Sequence, residues 1–248
     1  MKYTVITGAS SGIGYETALA FAARGKNLIL VARRLDKLEE LKNEIHNINP
    51  ELDVLPCRVD LSVTEQAYNL YNKLKGYEIE TWINNAGLGE SSSVTDQNLE
   101  KIESMLRLNI ESLAILSTLF VRDYSNVEGT QLINVSSALG YATYIGGITY
   151  SASKYFVSAF TEGLAKELEL KSAKMKAKVL APAVTETEFE KTAQDVDEFD
   201  YKNFMPKYHT AKQMAGFMME LYDNDKVVGI VDESYNFNLR DQIYPIIG

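Results

Sequence analysis

A glycine-rich turn early in the sequence constrains the fold of this chain more than any other segment. Residues 3–7 form a short apolar run typical of a strand, and a helical pattern of apolar residues begins at Ile13. The turn between them, residues 7–14, reads TGASSGIG, with the spacing Gly-x-x-x-Gly-x-Gly. A strand, a glycine-rich turn and a helix in this order are typical of a dinucleotide-binding unit, in which the pyrophosphate lies at the helix N-terminus.

Each glycine of the turn meets a separate steric requirement. A side chain at Gly8 would block the tight turn, one at Gly12 would hold the pyrophosphate away from the helix, and one at Gly14 would push the helix off the strand. A turn that merely connects a strand to a helix remains the alternative. The predicted cofactor contacts in this turn are Gly8, Ser10, Ser11, Gly12, Ile13 and Gly14.

Strand and helix patterns alternate along the rest of the chain. Strands are predicted at residues 3–7, 27–32, 52–59, 81–83, 131–135, 177–180 and 227–228. Helices are predicted at residues 13–24, 35–48, 63–74, 99–119, 150–170 and 211–222, with more than one helix in 99–119 and Ser62 as an N-cap. Residues 183–209 are predicted to form one long irregular polar loop at the carboxyl edge of the sheet.

The apolar strands carry no polar alternation, which favours a parallel sheet covered on both faces. Residues 27–32 (NLILVA) are the clearest case, because only a strand buried on both sides has a reason to be apolar throughout. We therefore predict an α/β fold. It is a single Rossmann-like domain over residues 1–248, with a doubly wound, mainly parallel seven-stranded sheet and helices on both faces.

Composition excludes several classes of partner and site. The formal net charge of -9 argues against non-specific binding to nucleic acid or to an anionic membrane. The single cysteine, Cys57, excludes an intrachain disulfide and fits a reducing compartment. No signal peptide and no membrane-spanning apolar run is visible, so a cytoplasmic location is expected. His46 and His209 have no metal-ligand spacing around them, so we predict ordinary surface residues and no metal site.

The end of the second predicted strand indicates which dinucleotide binds. A carboxylate at this position would bind the ribose hydroxyls of NAD and repel a 2′-phosphate, but the sequence reads Ala32-Arg33-Arg34. A guanidinium grips a phosphate with two hydrogen bonds and stays charged at neutral pH. We therefore predict NADP(H), with Arg33 and Arg34 as a phosphate clamp. Two surface arginines that lead into a helix are the alternative.

Tyr150 and Lys154 are four residues apart on a predicted helix and so share a face. Free tyrosine has a pKa of about 10, and a neighbouring ammonium lowers it by stabilising the phenolate. Tyr150 is therefore the candidate acid/base that exchanges a proton with a carbonyl or alcohol oxygen. The same lysine is a candidate to hold the nicotinamide ribose hydroxyls.

Three segments in this order resemble the short-chain dehydrogenase/reductase family, in its compact single-domain branch: TGASSGIG at 7–14, NNAG at 84–87 and YSASK at 150–154. The similarity extends along nearly the whole chain. It implies a complete catalytic tetrad of Asn109, Ser137, Tyr150 and Lys154. In that tetrad Ser137, rather than Ser136, would hydrogen-bond the substrate oxygen, and Asn109 would hold a water on a proton relay to Lys154.

The resemblance also implies contacts to the cofactor beyond the glycine turn. Asp60 would accept a hydrogen bond from the adenine amino group, Asn84 would support the strand edge, and Thr187 would meet the carboxamide or a phosphate. Ala183 and Thr185 depart from the family pattern, which has glycine and then valine or isoleucine there. The further predicted contacts are Leu61, Asn85, Ala86, Gly87, Tyr150, Lys154, Pro182 and Thr185.

The substrate is expected to be a moderately hydrophobic carbonyl compound or alcohol. The predicted substrate wall is Leu88, Ser137, Leu139, Tyr141, Tyr144, Tyr150, Val184 and Phe189. The acidic residues of 183–209 are predicted to be a solvated lid, or alternatively to repel anionic substrates. Two other functions remain open: an NAD-linked alcohol or sugar dehydrogenase, and a non-catalytic NADP-binding regulator on the same fold. The resemblance implies a homodimer or homotetramer, with the tail at 234–248 as a candidate interface.

Overall fold

Eight strands form one sheet in the computed structural model, which describes residues 1–247. Two more strands form a separate small sheet. In chain order, the strands of both sheets are β1 (Lys2–Thr7), β2 (Asn27–Ala32), β3 (Val54–Arg58), β4 (Glu78–Asn84), β5 (Gln131–Val135), β6 (Lys176–Ala181), β7 (Thr185–Glu186), β8 (His209–Thr210), β9 (Val228–Val231) and β10 (Phe237–Arg240). The order across the large sheet is β10-β9-β6-β5-β4-β1-β2-β3, while β7 and β8 form a separate parallel pair. In the large sheet only the β9–β10 pair is antiparallel.

Helices cover both faces of the sheet. The α-helices are α1 (Gly12–Ala23), α2 (Leu35–Ile48), α3 (Thr64–Leu74), α4 (Leu99–Leu106), α5 (Leu113–Tyr124), α6 (Ile148–Leu170), α7 (Phe189–Gln194), α8 (Tyr201–Phe204) and α9 (Ala211–Asp223). One apolar cluster packs α1, α2 and α9 on one face, and a second packs α3, α5 and α6 on the other. Within β2, Leu28 and Leu30 belong to the first cluster, whereas Ile29 and Val31 belong to the second. This alternation explains why the strand is apolar throughout.

The predicted Rossmann-like architecture is confirmed, and the strand count was short by one. Seven strands are parallel as expected, and β10 adds an antiparallel edge. Phe237 of β10 stacks on Phe217 of α9 with ring centroids 4.4 Å apart, so apolar packing fixes the added strand. The strand order reverses between β1 and β4, and the carboxyl ends of these two strands border the crevice where doubly wound sheets bind ligands.

Residues 183–209 are not the irregular loop that the sequence predicted. They contain β7, α7, α8 and β8, and the parallel pairing of Thr185 with His209 brings the ends of the segment together. His209 is buried, not a surface residue, because its ring packs between Phe217 and Tyr235. Polar composition concealed this structure, since its apolar contacts come from residues distant in sequence.

Two smaller differences concern helix ends and continuity. Ser62 is not an N-cap: α3 is preceded by Val63, and the Ser62 hydroxyl donates to Asp60 instead. The region 99–119 is helical throughout, with a π-helical turn over residues 107–112 between α4 and α5. The continuous stretch Leu99–Tyr124 is, by length and composition alone, sufficient to cross a membrane, which the sequence reading did not expect. Leu116 and Phe120 of this stretch are buried against the sheet, as in the core helix of a globular domain.

Candidate active site

The glycines of the first turn are packed too closely to carry side chains. Gly8 and Gly12 have φ angles of +69° and +57°, which favour glycine. A Cβ on Gly8 would lie 2.8 Å from the Ala86 Cα, and one on Gly14 would lie 2.4 Å from the Gly8 carbonyl oxygen. A Cβ on Gly12 would lie 2.9 Å from the Thr187 Cγ2 atom. The turn that follows β1 therefore packs closely against the residues after β4 and against the segment after β6.

Thr7 and Asn85 join β1 to β4 at the point where the strand order reverses. The Thr7 hydroxyl oxygen accepts hydrogen bonds from the backbone N–H groups of Asn85 and Ala86, both at 3.0 Å. The Asn85 side-chain amide donates to the Thr7 carbonyl at 2.9 Å and to the Gly8 carbonyl at 3.3 Å. Asn84 faces away into the core, where its side chain bonds Asn134. The NNAG segment thus fixes the glycine turn through Asn85 and the core through Asn84.

One cleft of about 1360 Å³ runs across the carboxyl edge of the sheet and collects most predicted site residues. Its volume exceeds that of an ordinary drug-sized site and suits a dinucleotide with a second molecule. Of the predicted site residues, Gly14, Asn84 and Asn109 do not line it. The cleft is lined by Gly8, Ser10, Ser11, Gly12, Ile13, Arg33, Arg34, Asp60, Leu61, Asn85, Ala86, Gly87, Leu88, Ser137, Leu139, Tyr141, Tyr144, Tyr150, Lys154, Pro182, Val184, Thr185, Thr187 and Phe189.

Ser137, Tyr150 and Lys154 meet in this cleft. The Ser137 side chain lies close enough to Tyr150 to lower its pKa, and the Lys154 ammonium lies 5.9 Å from the centroid of the Tyr150 ring. Lys154 donates to the Val135 carbonyl at 3.0 Å, which holds its side chain at the end of β5. The Ser136 hydroxyl is engaged elsewhere and donates to the Lys154 carbonyl at 2.9 Å. The geometry therefore puts Ser137, and not Ser136, beside the tyrosine.

Burial, rather than the lysine, dominates the proton affinity of the tyrosine. Burial raises the pKa of Tyr150 well above that of a free phenol, while the hydrogen bond with Ser137 lowers it in part. Burial also lowers the pKa of Lys154 to about 8. The sequence reading expected the ammonium to depress the pKa of Tyr150. The net shift is upward instead, because burial outweighs the other influences on this pKa. The Lys154 Nζ atom bonds the Val135 carbonyl and lies 5.9 Å from the centroid of the Tyr150 ring.

Asn109 lies in the π-helical turn, a distortion that occurs frequently at functional sites. Its side chain is buried and bonds both polar groups of Leu88: Nδ2 donates to the carbonyl and Oδ1 accepts from the N–H, each at 2.9 Å. Nδ2 also donates to the Ser153 hydroxyl at 3.1 Å. A Cβ on Gly87 would lie 3.4 Å from both the Asn109 Oδ1 and the Lys154 Nζ atoms. Asn109 is thus next to α6 and fixes the loop after β4.

The two arginines after β2 differ in their surroundings. Arg33 is exposed, and within residues 1–247 its side chain forms no hydrogen bond or ion pair. Arg34 forms an ion pair with Glu188, with Nη2 to Oε2 at 2.7 Å, and donates from Nη2 to the Ser10 hydroxyl at 3.2 Å. Asp60, which closes this end of the cleft, accepts from the Ser62 backbone N–H at 3.0 Å.

A buried carboxylate joins the part of the cleft around Tyr141 to the C-terminal segment. Glu162 of α6 is fully buried and accepts hydrogen bonds from the Tyr141 hydroxyl at 2.6 Å and the Tyr244 backbone N–H at 2.9 Å, as well as from the N–H of Ile243. Tyr244 stacks on Tyr141 with ring centroids 5.3 Å apart. Tyr141 follows Ser137 closely, so the C-terminal segment helps to hold the substrate wall.

Sequence reasoning missed several residues that line the cleft. They include Glu90, Gly146, Gly147, Glu188, Met205, Asp232, Tyr235 and Arg240. Glu188 belongs to the acidic segment 183–209, but its ion pair with Arg34 joins residues 154 positions apart, so no local sequence pattern predicts it. Among residues 1–247, no group of three His, Cys, Asp or Glu side chains is placed to hold a metal ion.

Comparisons with known proteins agree with this architecture. The short chain dehydrogenase family profile matches residues 2–198. The chain is 30% identical over 202 residues to dehydrogenase/reductase SDR family member 11 of Homo sapiens, covering 79% of this chain and 78% of the relative. It is 32% identical over 192 residues to the NADP-dependent 3-hydroxy acid dehydrogenase of Schizosaccharomyces pombe, covering 76% and 73%.

Solved structures repeat the fold. A short-chain dehydrogenase from Sphingobium yanoikuyae in complex with NADPH superposes with a TM-score of 0.84 at 28% identity, covering 93% of this chain and 87% of that one. The strand order, the reversal between β1 and β4 and the sequence relatives therefore agree. From this agreement, the chain belongs to the short-chain dehydrogenase family and is an oxidoreductase.

Proposed function

We propose that the protein transfers hydride between NADP(H) and a carbonyl compound or secondary alcohol, with Tyr150 as the acid/base. The observation that carries this proposal is the meeting of Tyr150, Ser137 and Lys154 in the cleft that also contains the glycine turn. A non-catalytic regulator on the same fold would need the turn but no tyrosine–lysine pair in the cleft. The pair therefore favours an enzyme.

The residues of the cleft fit a dinucleotide. The closely packed glycine turn leaves the N-terminus of α1 open to the cleft, and a Cβ at Gly12 would already meet Thr187. Gly8, Ser11, Ala86 and Gly87 would hold the dinucleotide along the ends of β1 and β4, and Lys154 would hold the nicotinamide ribose. When bound, the nicotinamide supplies the hydride donor or acceptor.

The side chains around the substrate oxygen have separate roles in proton transfer. Ser137 donates a hydrogen bond to that oxygen and orients it toward Tyr150. Because burial raises the pKa of Tyr150, the phenol is protonated at neutral pH and gives its proton to the oxygen of a carbonyl substrate. Lys154 stabilises the phenolate that results. Asn109 fixes the loop at Leu88, and a water on the relay to Lys154 would be held by an oxygen of Asn109 because both side-chain N–H groups are used.

The substrate wall supports a moderately hydrophobic substrate. Leu139, Tyr144, Val184 and Phe189 line the cleft beyond Ser137, and the Phe189 ring lies 5.5 Å from the Tyr150 ring. The family consists of enzymes that act on small molecules, and two relatives carry NADP or NADPH in their names. A small carbonyl or alcohol is the expected substrate class, with neither nucleic acid nor membrane as a partner.

Substitution of the tyrosine tests the catalytic part of the proposal. Tyr150→Phe keeps the ring and removes the proton, so NADPH-dependent turnover of a carbonyl panel should fall about 1000-fold, within the range of acid–base catalysis. Binding of NADPH, followed by nucleotide fluorescence, should stay within about twofold because the acid–base contribution belongs to the chemical step. Tyr68→Phe, an exposed tyrosine on α3, is the matched control. Equal turnover in Tyr150→Phe and the parent would refute the assignment.

A titration of NADPH against NADH tests the cofactor preference. Arg33 and Arg34 at the end of β2 support NADPH, since each can bind a 2′-phosphate. Tighter binding of NADH would favour the alternative of an NAD-linked alcohol or sugar dehydrogenase. We also propose a cytoplasmic homodimer or homotetramer; Leu99 and Leu170, each 73% exposed, support association of helical faces. Light scattering at several concentrations tests it.

A further inference from the structure

Arg34, one half of the proposed phosphate clamp, is already bound by protein groups. Its Nη1 and Nη2 atoms face the Glu188 carboxylate, at 3.3 Å from Oε1 and 2.7 Å from Oε2. Its Nε and Nη2 atoms face the Ser10 hydroxyl, at 3.4 and 3.2 Å. A guanidinium has two edges that can bind an oxyanion with paired hydrogen bonds. Glu188 takes one edge, and Ser10 the other.

A bound 2′-phosphate therefore meets a competitor at Arg34. To grip the phosphate with two parallel hydrogen bonds, Arg34 must free an edge. Glu188 is the group that leaves, because its carboxylate and a phosphate repel each other at this distance, whereas the neutral Ser10 hydroxyl also donates to phosphate. Both side chains of the pair are partly exposed, 42% for Arg34 and 56% for Glu188, so water can take over the carboxylate when it leaves.

We propose that Glu188 is a specificity-determining residue that competes with the 2′-phosphate of NADP(H) for Arg34. This inference rests on the proposed use of NADP(H). The competition weakens the binding only of dinucleotides that carry a 2′-phosphate, because a nucleotide without this group has nothing to exchange for the carboxylate. Arg33, which is exposed, is available as the first contact of the phosphate before the exchange at Arg34.

The exchange also reaches the substrate side of the cleft. Glu188 directly precedes α7, whose first residue, Phe189, packs on Tyr150. The far end of α7 is held by Lys101, which donates to the Ala193 carbonyl at 3.0 Å and to Asp195 at 2.9 Å. When Glu188 leaves Arg34, the N-terminal end of α7 loses one contact and keeps the hydrogen bond from the Phe189 N–H to the Thr187 hydroxyl, while the far end stays fixed. Occupancy of the phosphate site is thereby linked to the position of Phe189 beside the tyrosine.

Glu188→Gln tests the competition, with Glu186→Gln as the matched control. Glu186 is an exposed acid two positions away whose side chain does not line the cleft. The four probes are NADPH, NADH, 2′,5′-ADP and 5′-AMP, each titrated by calorimetry. Glu188→Gln should bind NADPH and 2′,5′-ADP about two- to fivefold more tightly, the range of a partly exposed ion pair. Binding of NADH and 5′-AMP should change by less than about 1.5-fold, since neither carries the 2′-phosphate with which the Glu188 carboxylate competes.

Several outcomes would overturn the proposal. Unchanged or weaker binding of NADPH and 2′,5′-ADP by Glu188→Gln is one, and an equal gain in Glu186→Gln is another, because it would reflect net charge. In an Arg34→Ala background the effect of Glu188→Gln must vanish. A wild-type protein that prefers NADH refutes the proposed cofactor preference instead, while the comparison of 2′,5′-ADP with 5′-AMP still decides whether Glu188 competes.

Discussion

Replacing a helical glycine with alanine has opposite consequences at two places in this fold. Gly14 lies in the first turn of α1, and Gly216 lies in the middle of α9. Alanine favours helix over glycine by about 1 kcal/mol, so both substitutions gain the same intrinsic contribution. The space around the new methyl group differs. At Gly216 nothing lies within 4 Å of an added Cβ, whereas at Gly14 the Asn85 Nδ2 and Gly8 carbonyl oxygen both lie 2.4 Å away.

The magnitude follows from these distances. At Gly14 the atoms in the way are backbone of the glycine turn and a side chain fixed by two hydrogen bonds, so neither moves freely. Forced overpacking of this kind costs about 3 kcal/mol, which leaves Gly14→Ala about 2 kcal/mol less stable than the parent. For a chain of this size, the melting temperature should fall by about 4–8 °C. The melting temperature of Gly216→Ala should be higher than that of the parent by about 2–4 °C.

Thermal unfolding by calorimetry, with NADPH titration on the same samples, measures both effects. Gly14→Ala should also bind NADPH about tenfold or more weakly, because the turn must shift away from the helix N-terminus. Gly216→Ala should bind NADPH like the parent, since it lies on α9 and does not line the cleft. A melting temperature of Gly14→Ala at or above that of the parent would refute the reasoning from close packing.

Two buried lysines provide further predictions. Burial lowers the pKa of both Lys154 and Lys178 to about 8, below the value of an unfolded lysine. The unfolded state therefore binds more protons than the folded state between about pH 8 and 10. The free energy of unfolding should rise with pH over that interval. Lys154→Met should remove its share of the rise, which urea titrations at pH 8 and 9.5 would detect; an unchanged slope would contradict the reasoning. In the same titrations, the free energy of unfolding of Lys178→Met should be about 1–3 kcal/mol lower than that of the parent, because three backbone acceptors lose their donor. They are the carbonyls of Leu221, Tyr222 and Asn224. Equal stability of Lys178→Met and the parent would show that water satisfies these carbonyls.

Local patterns predicted the sheet and much of the cleft because their signals are short-range. The apolar run of β2, the glycine turn and the Tyr150–Lys154 spacing each lie within eight residues, and all correspond to observed elements. The misses depend on distant partners. The edge strand β10 is fixed by packing on α9, and His209 is buried by rings that follow it in sequence.

Charge at the site was predicted less well than position. Spacing correctly placed Lys154 beside Tyr150, but it could not reveal that the ammonium bonds the Val135 carbonyl. It likewise could not reveal that Glu188 occupies Arg34. Which partner a charged side chain selects depends on backbone groups and on residues brought together by the whole fold.

The contact of Glu162 with the C-terminal segment divides the cleft into regions of different local stability. The nucleotide half is attached to central strands, which open only when the whole domain unfolds. The substrate half depends on Tyr141, whose position is supported by Glu162 and Tyr244. Residues 241–247 are mostly exposed and lie outside the helices and strands, so this segment opens more readily than the central strands. Fraying of residues 243–244 would therefore loosen the substrate wall first, leaving a domain that still holds its nucleotide but no longer shapes the site around the reacting oxygen.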